Sequence, residues 1–278
     1  MDNPGGAAYY GAMFGRLFGG VRARPAARVA AVPSGYRVFA IGDVHGRIDL
    51  LMALEAGILD DSRRRPHGGR DVVIYLGDYV DRGPASAEVI EHLARAPLPG
   101  FSAIHLLGNH DEALLRFLAD AAIGPSWATF GGEATLVSYV VRSHPDLLGI
   151  ERYEDMRQQL VRAMPVHHVE FLRGLKTSVE AGDYLFAHAG IRPGVPLPLQ
   201  RQEDLLWIRE AFLDSELDHG KVVVHGHTPT DAPVVRANRI GIDTGAFASG
   251  VLTCLALEGD QRRFIDTGRS ARTGVAAQ

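Results

Sequence analysis

The chain has a single cysteine, Cys254, among its 278 residues, so an internal disulfide framework is excluded and a reducing compartment suits it. No run of about 18 apolar residues occurs, which excludes a membrane-spanning helix. Positive charge is not in excess either. Lys and Arg total 29 against 33 Asp and Glu, a net charge of −4, and this argues against a protein that coats a polyanion or grips nucleic acid. Lysine itself is nearly missing: only Lys176 and Lys221 occur, so 27 of the 29 basic residues (29 − 2) are arginine. Arginine pairs bidentately with phosphate and carboxylate where lysine is a point charge. A bias spread over the whole chain says little, however, and each arginine needs its local context.

An export signal is also missing. Residues 1–33 are rich in Gly, Ala and Arg, their apolar stretch is short and broken by glycine, and Asp2 stands where a signal carries positive charge. They read as a flexible leader whose Tyr9, Met13, Phe14, Leu17 and Phe18 offer a weak docking face. The expected location is the cytoplasm, with no membrane or nucleic-acid partner.

What is present is a globular core. Apolar residues make up 46% of the chain, enough to exclude wholesale disorder. At ~150 residues per domain the length allows one large or two small domains. With no fixed-period repeat and no linker, the reading is one domain over 34–270, a helical insertion at about 125–175, and a tail at 271–278. RVFAIGD (37–43), DVVIYLGD (71–78) and SAIHLLGN (102–109) read as buried strands. Each leads into an amphipathic helix, the second having Pro84 at its first turn. Strand–loop–helix repeated in this way predicts an α/β layered core. Later come strands in KTSVEA, DYLFAHAG and KVVVHGH and a helix in QEDLLWIREAF. Two hairpins follow, with turns near Ala237–Asn238 and Gly259–Asp260.

The early strands end in groups that packing does not need: GDVHG (42–46), GDYVDRG (77–83) and GNHD (108–111). In layered α/β folds the carboxyl ends of strands converge on one crevice, which would gather Asp43, His45, Asp78, Asp81, Asn109 and His110 at one edge. Oxygen donors with imidazole and no thiolate suit Mn, Fe, Zn or Mg. Asp43 and His45, two apart, share a side if the backbone is extended, and Asp78 has two oxygens with which to bridge. His188 ends DYLFAHAG. In VVVHGHTP both His225 and His227 are candidates, and His227 is preferred as nearer the strand end, leaving His225 for a supporting place.

Taken in order, GDVHG, GDYVDRG, GNHD, HAG and GHTP resemble the signature of the calcineurin-like metallophosphoesterase superfamily, and within it the bacterial and phage-type serine/threonine protein phosphatases. The resemblance spans about residues 37–270 and takes in Trp207-Ile208-Arg209 and IGIDTGA (240–246). Asp111 and Ala189 stand where eukaryotic members carry Glu and Gly, and the eukaryotic substrate-groove elements are not recognisable. The resemblance implies a layered α/β/β/α fold with a central β-sandwich. It also implies two divalent metal ions, manganese foremost, with Fe, Zn, Ni or Mg as alternatives. Asp43, His45 and Asp78 would hold one; Asp78, Asn109, His188 and His227 the other. A hydroxide between them would attack phosphorus in line. His110 would be the general acid, Asp81 would polarise it, and Arg82 and Arg209 would clamp the non-bridging oxygens. The expected reaction is phosphomonoester hydrolysis on phosphoserine or phosphothreonine in proteins. The alternative is a symmetrical diadenosine tetraphosphatase or another small-molecule phosphoesterase, and a remoter one is a scaffold without catalysis.

Other residues are given bland roles. His67, His92, His105, His144, His167, His168 and His219 have no motif context, Cys254 reads as a small buried hydrophobe, and Trp127 and Trp207 as packing residues. Arg192 is expected to be an exposed arginine rather than a phosphate ligand, and Asp243 either supports His227 or forms a turn.

Overall fold

A computed structural model of the chain describes residues 29–95 and 98–268. Its strands, in chain order, are β1 (Tyr36–Ile41), β2 (Arg70–Tyr75), β3 (Phe101–His105), β4 (Ser178–Ala181), β5 (Tyr184–Ala187), β6 (Val222–His225), β7 (Val234–Val235), β8 (Arg239–Gly241), β9 (Thr253–Glu258) and β10 (Gln261–Asp266). The helices are α1 (Ile48–Arg64), α2 (Ser86–Ala94), α3 (Asn109–Ala119), α4 (Gly124–Thr129), α5 (Gly132–Ser138), α6 (Gly149–Ala163), α7 (Val166–Arg173), α8 (Gln202–Trp207), α9 (Glu210–Leu213) and α10 (Ala246–Ser249).

The strands make two mixed five-stranded sheets, ordered β10-β9-β1-β2-β3 and β4-β5-β6-β8-β7. In the first, β1, β2 and β3 run parallel and the β9–β10 hairpin adds antiparallel strands at one edge. In the second, β5, β6 and β8 are parallel, with antiparallel β4 and β7 at the edges. Alternation along each strand builds the layers. Val38 and Ala40 of β1 and Ile74 of β2 meet Tyr184, Phe186, Val224 and Ile240 of the second sheet, which fills the sandwich. Phe39, Ile41, Val73 and Tyr75, one residue out of phase, pack instead against helical residues such as Leu51, Leu54, Val89, Leu114 and Leu160. On the far side Leu185, Ala187 and Val223 pack on Leu205, Ile208 and Phe212. Both faces of each central strand are covered, so the strands are apolar over most of their length, with the charges of β1 and β2 confined to their first residues. The result is the expected α/β/β/α layering.

Several local readings need correction. The run SRRRPHGGR is not all loop, because α1 continues to Arg64. Pro84 precedes the N-cap residue Ala85 and so lies outside α2 rather than in its first turn. QEDLLWIREAF is not one helix: it breaks at Ile208–Arg209 into α8 and α9. The Leu205 carbonyl, which would accept the Arg209 N–H of a continuous helix, accepts from Ala189 instead at 2.8 Å. Residues 29–33, placed in the leader, are docked: Val32 is buried in the sandwich core and its N–H donates to Gly259 O at 3.0 Å. The remainder of the leader, with Tyr9, Met13, Phe14, Leu17 and Phe18, and the tail lie outside the described residues. The hairpin turns fall where expected, and buried Cys254 is a β9 core residue. No helix among the described residues is long and apolar enough to cross a membrane.

One buried ion pair ties strands to helix. Arg37 of β1 is 1% exposed; it donates to both Asp71 oxygens at 2.8 Å and to the Arg65 carbonyl at 2.6 Å. Removing one partner of a buried pair typically costs about 3–5 kcal/mol because a charge is stranded. Arg37→Met is therefore expected to lower the urea unfolding free energy by about 3 kcal/mol. A loss below about 1 kcal/mol, the scale of an exposed pair, would show that Ser62 and His67 satisfy Asp71 alone.

Candidate metal centre

The carboxyl ends of β1, β2 and β3 in one sheet and of β5 and β6 in the other open onto the same rim. Asp43 and His45 lie in the turn after β1, Asp78 in the turn after β2, and Asn109 and His110 open α3. His188 follows β5 and His227 follows β6. All seven side chains are buried. The structure brings them together around Asp78. His45 Nε2 is 3.4 Å from Asp78 Oδ2, and His188 Nε2 is 3.4 Å from Asp78 Oδ1. Asn109 Oδ1 lies 2.9 Å from His188 Nε2 and 2.8 Å from His227 Nδ1. The His227 N–H donates to Asp43 Oδ2 at 3.0 Å, spanning 184 residues of chain. His225 does not take part: its ring faces Phe212 and Arg239 behind the second sheet.

The backbone geometry differs from the extended Asp43–His45 segment expected. His45 has φ +45°, and Asp78, Asp81, Arg82 and His227 also have φ between +53° and +72°. Among the described residues only Val140 shares this left-handed region without being glycine and without being at the rim. Such conformations cost of order 1–3 kcal/mol each and persist where the surroundings over-determine them. Close approach contributes to that. A Cβ on Gly226 would lie 2.0 Å from Asp43 Oδ1, and one on Gly108 would lie 2.2 Å from Asp78 Oδ1. Asp111, read from the sequence only as a variant of the motif, clamps the turn by accepting from the N–H groups of Asp78, Tyr79 and Gly108 at 2.8–3.0 Å.

The donor atoms fit cations. His45 Nδ1 lies 2.8 Å from the Val80 carbonyl and His188 Nδ1 lies 3.0 Å from the Leu76 carbonyl. A carbonyl only accepts, so in each ring the proton is on Nδ1 and Nε2 presents a lone pair. Those lone pairs face oxygens of Asp78 and Asn109, an arrangement that repels unless a cation sits between. His45 Nε2 and His227 Nε2 are buried without a hydrogen-bond partner. Burial, foremost, holds His45 at a pKa of about 3 and His227 at about 2, keeping both neutral as ligands must be. Asp43 is pushed well above the usual carboxylate range by burial and then by Asp243 and Asp78. Asp243 forms the turn that was its other expected role, accepting the Gly245 N–H at 2.8 Å, and it neighbours Asp43 rather than supporting His227; burial raises it to about 6. Burial also opposes ionisation of Asp78, but His188, His110 and His45 outweigh it and hold its carboxyl below the usual range. Asp78, His188 and His227 each place one donor atom within 4.8 Å of the others, and so do Asp78, His45 and His110. Imidazole, carboxylate and amide oxygen without sulfur suit a hard or borderline divalent ion.

Beside this cluster sits a dyad. His110 Nδ1 is 2.7 Å from Asp81 Oδ2. Burial lowers the affinity of His110 for a proton, yet the Asp78 charge and the Asp81 bond raise it more. Arg82 Nη2 approaches His110 Nε2 at 3.0 Å. Arg209, exposed at the break between α8 and α9, donates to Thr228 Oγ1 at 3.3 Å, and its charge is felt at His188 and His227. Arg192 is elsewhere, bonded to both Asp204 oxygens. Two residues of the helical segment were missed as site residues. Trp127 Nε1 donates to Asp81 Oδ2 at 2.8 Å and Thr135 Oγ1 to Asp81 Oδ1 at 2.6 Å. Trp127 also packs on Phe117, as a core residue would. Nothing in the local pattern of SWATFGGEAT marks these bonds, which reach 46 and 54 residues back. A hydrogen bond to a charged group is worth about 1.5–3 kcal/mol. Trp127→Phe keeps the ring stack but removes that donor, so urea unfolding is expected to show a loss in this range. An unchanged midpoint would mean Thr135 and Ser86 suffice to hold the Asp81 loop.

Comparison with known proteins agrees with this geometry. The model of the calcineurin-like phosphoesterase family matches residues 36–248. A bis(5'-nucleosyl)-tetraphosphatase PrpE [asymmetrical] of Halalkalibacterium halodurans is 28% identical over 233 residues, covering 77% of this chain and 87% of that protein. Its namesake in Bacillus subtilis is 27% identical over 229 residues, with the same coverage of 77% and 87%. A solved structure described as a candidate diadenosine tetraphosphatase shares the fold, with a TM-score of 0.57, 20% identity, and coverage of 87% of this chain and 98% of that one. The chain belongs to the calcineurin-like phosphoesterase family.

Proposed function

We propose that this chain is a metal-dependent phosphoesterase whose substrate is a dinucleoside tetraphosphate. The observation that carries the reading is the rim above the cluster. Phe130, Trp207 and Phe247 are 48%, 36% and 37% exposed, and they gather at one rim, with Phe130 and Trp207 in ring contact at 6.4 Å, instead of scattering over the surface. Each leans on a different site imidazole: Phe130 on His110 at 6.4 Å, Trp207 on His227 at 6.3 Å and Phe247 on His45 at 5.6 Å between ring centroids. Trp207 is therefore not the packing residue expected. Its indole N–H is held by Glu112 Oε2 at 3.1 Å. Exposed aromatics beside an oxyanion site are stacking platforms for nucleobases. The two bacterial relatives carry a tetraphosphatase name, which supports the same substrate class. The phosphoprotein reading rested on motifs that serve both substrate classes and so do not distinguish them.

In this reading Asp43, His45, Asp78, Asn109, His188 and His227 hold two divalent ions, manganese in the first instance. Bound there, the ions supply Lewis acidity and an activated water. Arg82 and Arg209 bind non-bridging phosphate oxygens, and drawing Arg82 onto phosphate frees His110 Nε2. The freed Nε2 takes up a proton, which the neighbouring Asp78 and Asp81 carboxylates favour, and His110 passes it to the leaving oxygen while Asp81 keeps its Nδ1–H oriented.

That role predicts a dependence on the leaving group. A departing phosphate oxygen is a weak base, with a pKa of about 6, whereas a serine alkoxide is a strong one. His110→Asn should slow turnover of a phosphoserine peptide by roughly 10²–10⁴-fold, the usual worth of a general acid. Diadenosine tetraphosphate should suffer far less. Equal losses on the two would remove His110 from the role.

The deciding assay is product analysis with diadenosine tetraphosphate and manganese, scored against phosphopeptides. ATP with AMP is the expected pair; two ADP would mean symmetrical cleavage, and phosphate release from phosphopeptides alone would overturn the proposal. Stacking is worth about 1–3 kcal/mol per base, so Phe130→Ala and Trp207→Ala should each raise KM for the dinucleotide by ~10-fold. Turnover of methyl phosphate, which has no ring to stack, should not change.

A further inference from the structure

A second convergence of metal-type donors lies away from the rim, between α2 and α7. Glu91 Oε2 of α2 is 2.6 Å from His167 Nε2 and 2.7 Å from His168 Nε2, both of α7. The three donor atoms lie within 4.8 Å of one another. Sequence neighbours on a helix point about 100° apart, yet these two imidazoles meet edge to face at 4.5 Å between centroids and aim at one oxygen. The His168 side chain is 4% exposed, and its other nitrogen, Nδ1, lies 2.7 Å from the hydroxyl of buried Tyr139. A fixed partner on the second nitrogen is the usual support of a metal-binding histidine. Arg95 pairs with the other Glu91 oxygen, leaving Oε2 to the histidines. Glu91 and His168 border a shallow hollow of about 550 Å³ that also presents Glu88 and His92, so water or a further ligand has access.

We propose that Glu91, His167 and His168 bind one divalent ion of the zinc type, a third cation site that staples α2 to α7. Two imidazoles and one carboxylate with an open fourth position form a common zinc donor set. The place gives the ion a structural consequence. The first residue of α2, Ser86, accepts the Asp81 N–H at 3.0 Å, and α5 and α4 supply Thr135 and Trp127 to the same carboxylate. An ion across α2 and α7 would fasten the helical segment that anchors Asp81 without touching the substrate site.

The test is the zinc content of the full-length protein after loading with zinc chloride and gel filtration, with thermal unfolding in parallel. Wild type should retain one more zinc per chain than Glu91→Gln, His167→Ala or the His167→Ala/His168→Ala pair. Zinc should also raise the Tm of wild type more than that of the variants. The variants should keep wild-type turnover of p-nitrophenyl phosphate with manganese. His167 is largely exposed, and His167→Ala leaves the His168–Tyr139 pair in place, so loss of the ion from this variant cannot be laid to misfolding. Equal zinc content and equal Tm shifts across wild type and variants would overturn the proposal and leave the trio as a hydrogen-bonded clamp.

Discussion

Burying one ionised carboxylate where two sheets meet sets the terms for the surrounding structure. Asp78 is 2% exposed, and removing its hydration is costly unless partners replace it. The chain supplies imidazoles from the ends of three further strands and the His110 N–H, which donates to Asp78 Oδ1 at 3.0 Å. Left-handed turns, a glycine pressed against the carboxylate and the Asp111 clamp follow from the need to bring these groups within reach. The sandwich carries that strain because its two sheets are covered on both faces and cannot easily shift.

Much of this was legible in the sequence because strand ends in layered α/β folds share an edge. GDVHG, GDYVDRG, GNHD, HAG and GHTP each follow an apolar run, and their Asp, Asn and His residues do meet. What was not legible depends on tertiary bonds with no local period. Trp127 and Thr135 look like ordinary helix residues until Asp81 is found between them. The break before Arg209 arises from a carbonyl taken by Ala189, and residues 29–33 dock because Val32 finds the sandwich. The extended Asp43–His45 pair failed for a related reason: positive φ is imposed by neighbours, not by residue type.

Substrate class was the weakest inference from motifs, and physically so. The motifs describe what acts on a phosphorus atom, and that chemistry is common to phosphoproteins and nucleotides. Discrimination lies in what surrounds the reacting group. Here the surroundings are three exposed rings on different elements, α8, α10 and the α4–α5 turn, which no single stretch of sequence announces.

The bond between the His227 N–H and Asp43 closes a loop of 184 residues. Contacts of such range form late, since the entropy of closing the loop comes before any reward. During synthesis the amino-terminal strands emerge first, with Asp43, His45 and Asp78 but without His188 or His227. A nascent chain therefore lacks the complete cluster of donor atoms. A cation taken up by the proposed centre would meet its full set of donors only after His227 has left the ribosome.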